Sequence, residues 1–382
     1  MTTPRVFNKA DSLHQVKSVL YSDAALLRRI QTLQQQLPTM SLDAHRLSIL
    51  QRACRALLGE ARESEPKVQL RPHIVAELKY VTDDELPRYL FYRYRYDVFP
   101  VTRELDDYPP CVQIEPTSIC NYRCVFCYQT DRSFTQGRSG HMGQMPLETF
   151  KRVVDEIECK VEAVTLASRG EPLMCKQIDQ MLAYLRGKFL ALKINTNAWY
   201  LDEKKAHAIL ETEPNTLVFS ADAADPELYA QLRINGKLER VLQNVRQFAE
   251  IRAKHYPKSR TITRVSGVHY SNKQDFKQID SFWQAYVDQV AFVDYNPWEN
   301  AYETPANGLT TPCSDLWRRT FVWWDGRMNP CDVDYKSTLA AGSVGERSVS
   351  VLWRGELYES LRRKHVDGVR QSVSPCKGCV LV

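Results

Sequence analysis

Three cysteines, Cys120, Cys124 and Cys127, stand in "SICNYRCVFCYQ" with the spacing C-x3-C-x2-C. A structural zinc site is tetrahedral and closed by four protein ligands. Here three thiols are at hand and no histidine accompanies them. Cys111 falls at the far end of the preceding strand, on the wrong side to be a fourth ligand. One metal position is therefore left open. A cubane iron–sulfur cluster with one unligated iron fits this pattern, because thiolates are its preferred ligands. A second set lies in the tail: Cys313, Cys331, Cys376 and Cys379, the last two forming a two-residue chelate loop, "CKGC". Four thiols can close one [4Fe–4S] cluster, and a structural zinc ribbon is the alternative. Cys54, Cys111, Cys159 and Cys175 read as small hydrophobes. Cys175 is set apart by its place just after "SRGEP".

These residues need a scaffold, and the sequence outlines one. Short apolar runs occur at 112–115, 163–168, 191–197, 216–222, 260–268 and 289–295, with amphipathic helical segments between them. "PLETFKRVVDEI" begins on Pro146, suited to a first helical turn, and sets Leu147, Phe150, Val154 and Ile157 on one face. Six strands alternating with helices predict an α/β parallel sheet, an open, partial (β/α)6 TIM-like barrel spanning 109–300. Chemistry then belongs at the C-terminal strand ends, and the first cysteine set follows the first strand. Residues 1–108 predict a helical N-terminal extension. Its "PRYLFYRYRYDVFP" segment reads as an element packed on the barrel with arginines directed outward; contact with a ligand is the alternative. Residues 301–382 form a small C-terminal module. In it "FVWWDGRMNPC" predicts a hairpin turning at Asp325-Gly326, and "SVLWRGELYESLRRKH" predicts a helix.

Bulk properties narrow the class. The 382 residues are 43% hydrophobic and 25% charged, the mix of a globular protein. A net charge of +5 from 51 basic and 46 acidic side chains, spread along the chain, gives no footprint for nucleic acid. No apolar run reaches membrane-helix length, and the N-terminus lacks a signal-peptide core, so a cytoplasmic protein with reduced thiols is expected.

Cys120, Cys124 and Cys127, with Phe126 just before the third, match the signature of the radical S-adenosylmethionine (SAM) superfamily. The resemblance extends over roughly 110–300. "SRGEP" (168–172) is similar to the family's Gly-Glu-Pro segment, with Arg169 where Gly is usual. "INTNAWYL" resembles the segment ending the third strand and contains Asn195. "SADAADPELYAQLRINGKLERVLQNV" resembles the fourth-strand region, where Ser220, Asp222 and Arg233 match positions near the nucleoside or its carboxylate. The resemblance implies that the open iron chelates the methionine part of SAM, and that an electron cleaves the sulfonium–C5′ bond to give a 5′-deoxyadenosyl radical. It implies Glu171 as partner of the SAM amino group and Gly170 as a close backbone approach to the ligand. The tail resembles a SPASM/twitch extension reduced to one auxiliary [4Fe–4S] cluster in electron transfer, because the two-cluster form needs seven cysteines and only three residues follow Cys379.

Two [4Fe–4S] clusters and SAM are thus the expected cofactors, and a flavodoxin or ferredoxin is the expected electron donor. The substrate class expected is a carbohydrate-like or aminocyclitol small molecule, oxidised or epimerised. Peptide modification is the runner-up, and a zinc or iron–sulfur scaffold the non-enzymatic alternative. In an epimerisation Cys175 would return the hydrogen. Glu115, Arg169, Asn197, His269, Tyr295 and Trp298, at strand ends or just beyond, are expected to face substrate.

Overall fold

The computed structural model describes residues 6–7, 13–15 and 24–382, apart from 64, 67, 69 and 299; the rest of the predicted 1–108 extension lies outside them. The six expected strands form at the expected places. They are β1 (Cys111–Ile114), β2 (Ala163–Leu166), β3 (Ala191–Thr196), β4 (Thr216–Ser220), β5 (Ile262–His269) and β6 (Gln289–Asp294). Each is parallel to the next.

Period-two alternation sorts their side chains. Val112, Ile114, Val164, Leu166, Leu192, Ile194, Leu217, Phe219 and Val265 enter the main apolar core. They pack there against α5 (Leu147–Ile157), α6 (Ile178–Leu185), α7 (Glu203–Thr212), α8 (Leu238–His255) and α9 (Phe276–Trp283). Intervening residues such as Lys193, Asn195, Arg264 and Ser266 line a central cavity instead. Both sides of the strands are thus largely covered, one apolar and one polar.

Two features extend this plan. A short strand, Leu13–Gln15, pairs antiparallel with β6, so the N-terminal extension is not wholly helical. The predicted C-terminal hairpin is present as β7 (Arg319–Val322) and β8 (Arg327–Asn329), with Gly326 at φ +81° in its turn. However, β7 runs parallel to β1, so the hairpin continues the barrel sheet. Otherwise β1 would leave an edge of unpaired N–H and C=O groups.

The helices α1 (Ala24–Gln36), α2 (Ala44–Leu58), α3 (Pro72–Leu78) and α4 (Leu86–Thr102) share their own apolar cluster. That cluster meets the barrel at Cys111, Ala163, Leu190 and Ala191. All four residues lie at strand N-terminal ends, so the extension covers the mouth opposite the cysteine loop.

The expectation of outward arginines on α4 holds for Arg88, whose side chain is 44% exposed, and is corrected for Arg93 and Arg95. Arg95 is 3% exposed and pairs with Asp106 at 2.5 Å. Arg93 pairs with Asp97 at 2.6 Å and lines the cavity. With protein on both sides and acids within reach, the guanidinium groups need no solvent. Among the described residues, no helix is long and apolar enough to cross a membrane.

Candidate cluster and cofactor site

The loop after β1 is built to gather sulfur. Thr117 Oγ1 donates to the Gly143 carbonyl at 2.7 Å, anchoring the loop where it leaves the strand. The Cys127 N–H then donates to the Cys124 carbonyl at 3.0 Å, closing a tight turn. Arg123–Cys124 forms a two-residue ribbon with Arg233–Ile234, which sets Arg233 opposite Cys124. Arg233 Nη1 lies 3.8 Å from Cys124 Sγ. Cys120 Sγ faces the Tyr122 N–H at 3.4 Å and Asn197 Nδ2 at 4.0 Å. The three cysteines share one small cluster with Tyr122, Phe126 and Leu232.

The donor set fits an iron–sulfur cluster. Burial pushes the Cys120 thiol up to about 12, with the Glu171 carboxylate adding to it. Cys124 and Cys127 are also raised by burial, and the neighbouring thiols push Cys127 further. Three largely covered sulfurs that oppose one another's ionisation need a cationic centre to become thiolates. Among the described residues, no three His, Cys, Asp or Glu side chains converge tightly enough for a single metal ion. A multi-iron cluster accepts ligands spread over a wider span.

The other expected residues fall into three groups. Several stand around the sulfurs. Phe126 is 7% exposed, and the Arg233 guanidinium lies 5.8 Å from its ring. Asp222 holds Arg233 Nε at 2.5 Å and accepts the Val268 N–H at 2.6 Å. Glu171 accepts from the Asn197 N–H at 2.7 Å and Thr196 Oγ1 at 2.6 Å, joining the β2 loop to the end of β3. Asn197 donates to Asn121 Oδ1. Ser220 ends β4 in register with Ser266. Asn195 lies deeper, in the cavity wall.

Others hold the loop from outside. Trp298 Nε1 donates to the Phe126 carbonyl at 2.9 Å. Tyr270 bridges Phe126 and Tyr295, with ring centroids 5.6 and 4.9 Å away. His269 is half exposed, 3.8 Å from Asp294.

Three expectations change, and Gly170 gains a packing role. Glu115 and Arg169 bind each other, fully buried, at 2.6 Å, and are spent on that pairing rather than on substrate. Cys175 is 3% exposed and packs in the apolar core with Leu173 and Ile178. The turn Pro172–Met174 carries the chain outward toward α6, so the thiol is not placed as a hydrogen donor. Gly170 serves chain packing. A Cβ there would lie 2.3 Å from the Thr117 carbonyl oxygen and 2.6 Å from that of Ile119. Gly170→Ala should therefore force the cysteine loop off the β2 loop, destabilising the fold by about 1–3 kcal/mol, read as a lower denaturant midpoint.

In the tail, Cys313, Cys331, Cys376 and Cys379 line one small cavity together with His365. Burial pushes the Cys313 thiol up to about 11, with Asp315 and Cys379 contributing. Cys376 is raised by burial and by Cys379 and Cys313. Four converging thiols fit a fully ligated cluster.

Sequence reading missed Gln129, whose buried Nε2 binds the Ser118 and Arg169 carbonyls. It also missed Tyr335, which stacks on Tyr128 at 4.9 Å and so ties the tail to the cysteine loop. Neither carries a local signal, because their partners are distant in sequence.

Residues 114–282 match the Radical SAM superfamily, and residues 313–380 match the iron–sulfur cluster-binding SPASM domain. The GTP 3′,8-cyclase of Limosilactobacillus fermentum is 24% identical over 253 residues, 63% of this chain and 66% of its own length, just under two thirds. The S-adenosyl-L-methionine-dependent 2-deoxy-scyllo-inosamine dehydrogenase of Niallia circulans is 20% identical over 273 residues, 70% of this chain and 91% of its own. Streptococcus suis SuiB, solved bound to precursor peptide SuiA, superposes with a TM-score of 0.56 at 15% identity, covering 94% of this chain and 82% of SuiB. That likeness is one of fold. With both sulfur sites in place, the chain is a radical SAM superfamily member whose [4Fe–4S] and SAM-binding barrel is followed by a SPASM domain.

Proposed function

We propose that this chain oxidises a small, carbohydrate-like substrate held in the barrel lumen, and that the observation carrying this reading is the lumen itself. Its volume is about 290 Å3 and its wall is polar. Asn195 and Ser266 in that wall lie two residues before Asn197 and Val268 on their strands. Residues i and i+2 share a face and stand roughly 7 Å apart. The lumen therefore ends one layer beneath the cysteine loop, while α3 and α4 close it from below. A polar recess of this volume suits a compact, oxygen-rich molecule better than a peptide segment.

When bound at Cys120, Cys124 and Cys127, the cluster and SAM supply a 5′-deoxyadenosyl radical, using an electron from an external donor such as flavodoxin or ferredoxin. The protein's part is positioning and exclusion of water. Asp222 fixes Arg233 beside Cys124 and Phe126. Glu171 holds the end of β3, which carries Asn197 to Cys120. The four tail thiols hold an auxiliary cluster for electron transfer. Because Cys175 lies in the outer core, epimerisation loses the hydrogen donor named for it, and oxidation is carried forward.

The test uses anaerobically reconstituted full-length protein with SAM, a reductant, and deuterated sugars or peptides. Formation of 5′-deoxyadenosine, with deuterium transferred from a sugar and iron and sulfide for two clusters, is the expected result. Deuterium transferred only from peptides would replace this reading with peptide modification. Zinc without iron, and no 5′-deoxyadenosine, would leave a scaffold.

A further inference from the structure

The lumen is basic as well as polar. Arg71, Arg93, Lys193, Arg264, Arg318 and Arg319 line it, and only two carboxylates, Glu77 and Asp97, join them. Asp97 is committed to Arg93, and Glu77 accepts the Tyr89 hydroxyl at 2.6 Å. Arg319 has an ion pair outside the lining, with Asp315 at 3.3 Å. Arg318 Nε donates to the Tyr96 carbonyl at 3.1 Å. Among the described residues, no carboxylate lies within ion-pair distance of Lys193 or Arg264. Arg264 is 5% exposed, and its Nε donates to Gln289 Oε1 at 2.8 Å. Its Nη2 is buried without a hydrogen-bond partner, as is Asn195 Oδ1 in the same wall. Glu77 is the carboxylate whose charge favours both cations, and one acid cannot offset the desolvation of two.

We propose that the lumen binds the acidic group, phosphoryl or carboxylate, of a small anionic substrate, with Lys193 and Arg264 as its principal ligands. The assignment deepens the carbohydrate-like reading above and rests on it for the word substrate.

The field in the lumen agrees. Burial, then Arg264 and Arg319, bring Lys193 down to about 8. Burial, then Arg264, Arg93 and Lys193, bring His73 down to about 2. Both basic groups thus sit in positive potential that an anion would relieve. Geometry also fits. Lys193 lies four residues before Asn197 on β3, roughly 13 Å along the strand. An acid group at Lys193 leaves the far carbon of a substrate about 13 Å long facing the cysteine loop. The ammonium of an aminocyclitol would meet like charge, so the lumen speaks against that form of the substrate.

The test titrates cluster-loaded full-length protein, without SAM, by calorimetry and thermal shift. Pyrophosphate is the phosphoryl probe, citrate the carboxylate probe, and glucosamine the cationic counter-probe. At least one anion should bind and raise the melting temperature; glucosamine should not. Hydrogen bonds to charged groups lead us to expect Lys193→Met or Arg264→Met to weaken anion binding about tenfold or more. Lys193→Met should also raise the melting temperature without anion, because it removes a half-buried cation that faces Arg264 and Arg319. Arg246→Met, on the outer face of α8, should change neither. Anion binding equal in wild type and both variants, or no binding by either anion, would overturn the proposal. These outcomes need no SAM turnover. Absent 5′-deoxyadenosine would end the radical reading alone, and absent anion binding with 5′-deoxyadenosine intact would end this inference alone.

Discussion

Cys124→Ala should abolish 5′-deoxyadenosine formation, to the rate without protein, and remove about half of the bound iron, one cluster of two. Cys124 is the most constrained of the three sulfurs. It is 9% exposed, lies in the ribbon with Arg233 and Ile234, and has a guanidinium 3.8 Å away. Neither Cys120 nor Cys127 can replace it, since each has its own place in the turn. Alanine keeps the ribbon's backbone hydrogen bonds, so the apoprotein should fold with a denaturant midpoint within about 1 kcal/mol of wild type, as for a small change at a modest cluster. The tail thiols belong to another cavity and should keep their iron. Iron, sulfide and 5′-deoxyadenosine measured on one anaerobic preparation check all three statements. Full iron content with full 5′-deoxyadenosine yield would remove Cys124 from the site.

Much of this site was legible because its chemistry is local in sequence. C-x3-C-x2-C needs only a tight turn to bring its sulfurs together, and the turn lies within the same segment. The six strands announced themselves as apolar runs. Their outer residues, such as Ile194 and Phe219, obey the rule that apolar side chains pack on helices. The lumen side was harder to read. Lys193 and Arg264 look like surface residues of a strand until α3 and α4 are laid across that face of the open sheet. The same packing turned Arg93 and Arg95 of α4 inward, while Arg88 stays exposed as expected for a long cation. Arg169 was misread for a related reason. Its partner, Glu115, is 54 positions away, and nothing near "SRGEP" announces a buried acid. Cys175 shows the opposite case: closeness in sequence to Glu171 suggested closeness in space, and one short turn undid it.

The Glu115–Arg169 pair carries the largest stability effect we expect from a single side chain. Glu115 is 0% and Arg169 1% exposed. Arg169 Nε and Nη2 bind the two carboxylate oxygens at 2.7 and 2.6 Å, and its backbone N–H adds a third bond at 3.0 Å. The Trp324 N–H donates to the same carboxylate at 3.2 Å. Arg169 Nη1 reaches the Tyr335 carbonyl at 2.8 Å, with the guanidinium 4.2 Å from the Trp323 ring centroid. One ion pair therefore joins the end of β1, the β2 loop and the C-terminal hairpin turn. Removing one partner strands the other charge without water, which costs about 3–5 kcal/mol. Arg169→Met and Glu115→Gln should each lower stability by that amount in a denaturant titration. The double substitution should cost less than their sum, because neither charge is then left behind. Arg169→Lys should not rescue, since an ammonium cannot span two carboxylate oxygens and the Tyr335 carbonyl together. The β2 loop also carries Gly170 and Glu171 to Cys120, so 5′-deoxyadenosine formation should fall in step with stability. A loss below about 1 kcal/mol, the range of an exposed ion pair, would show that the pair is hydrated and does not join these three segments.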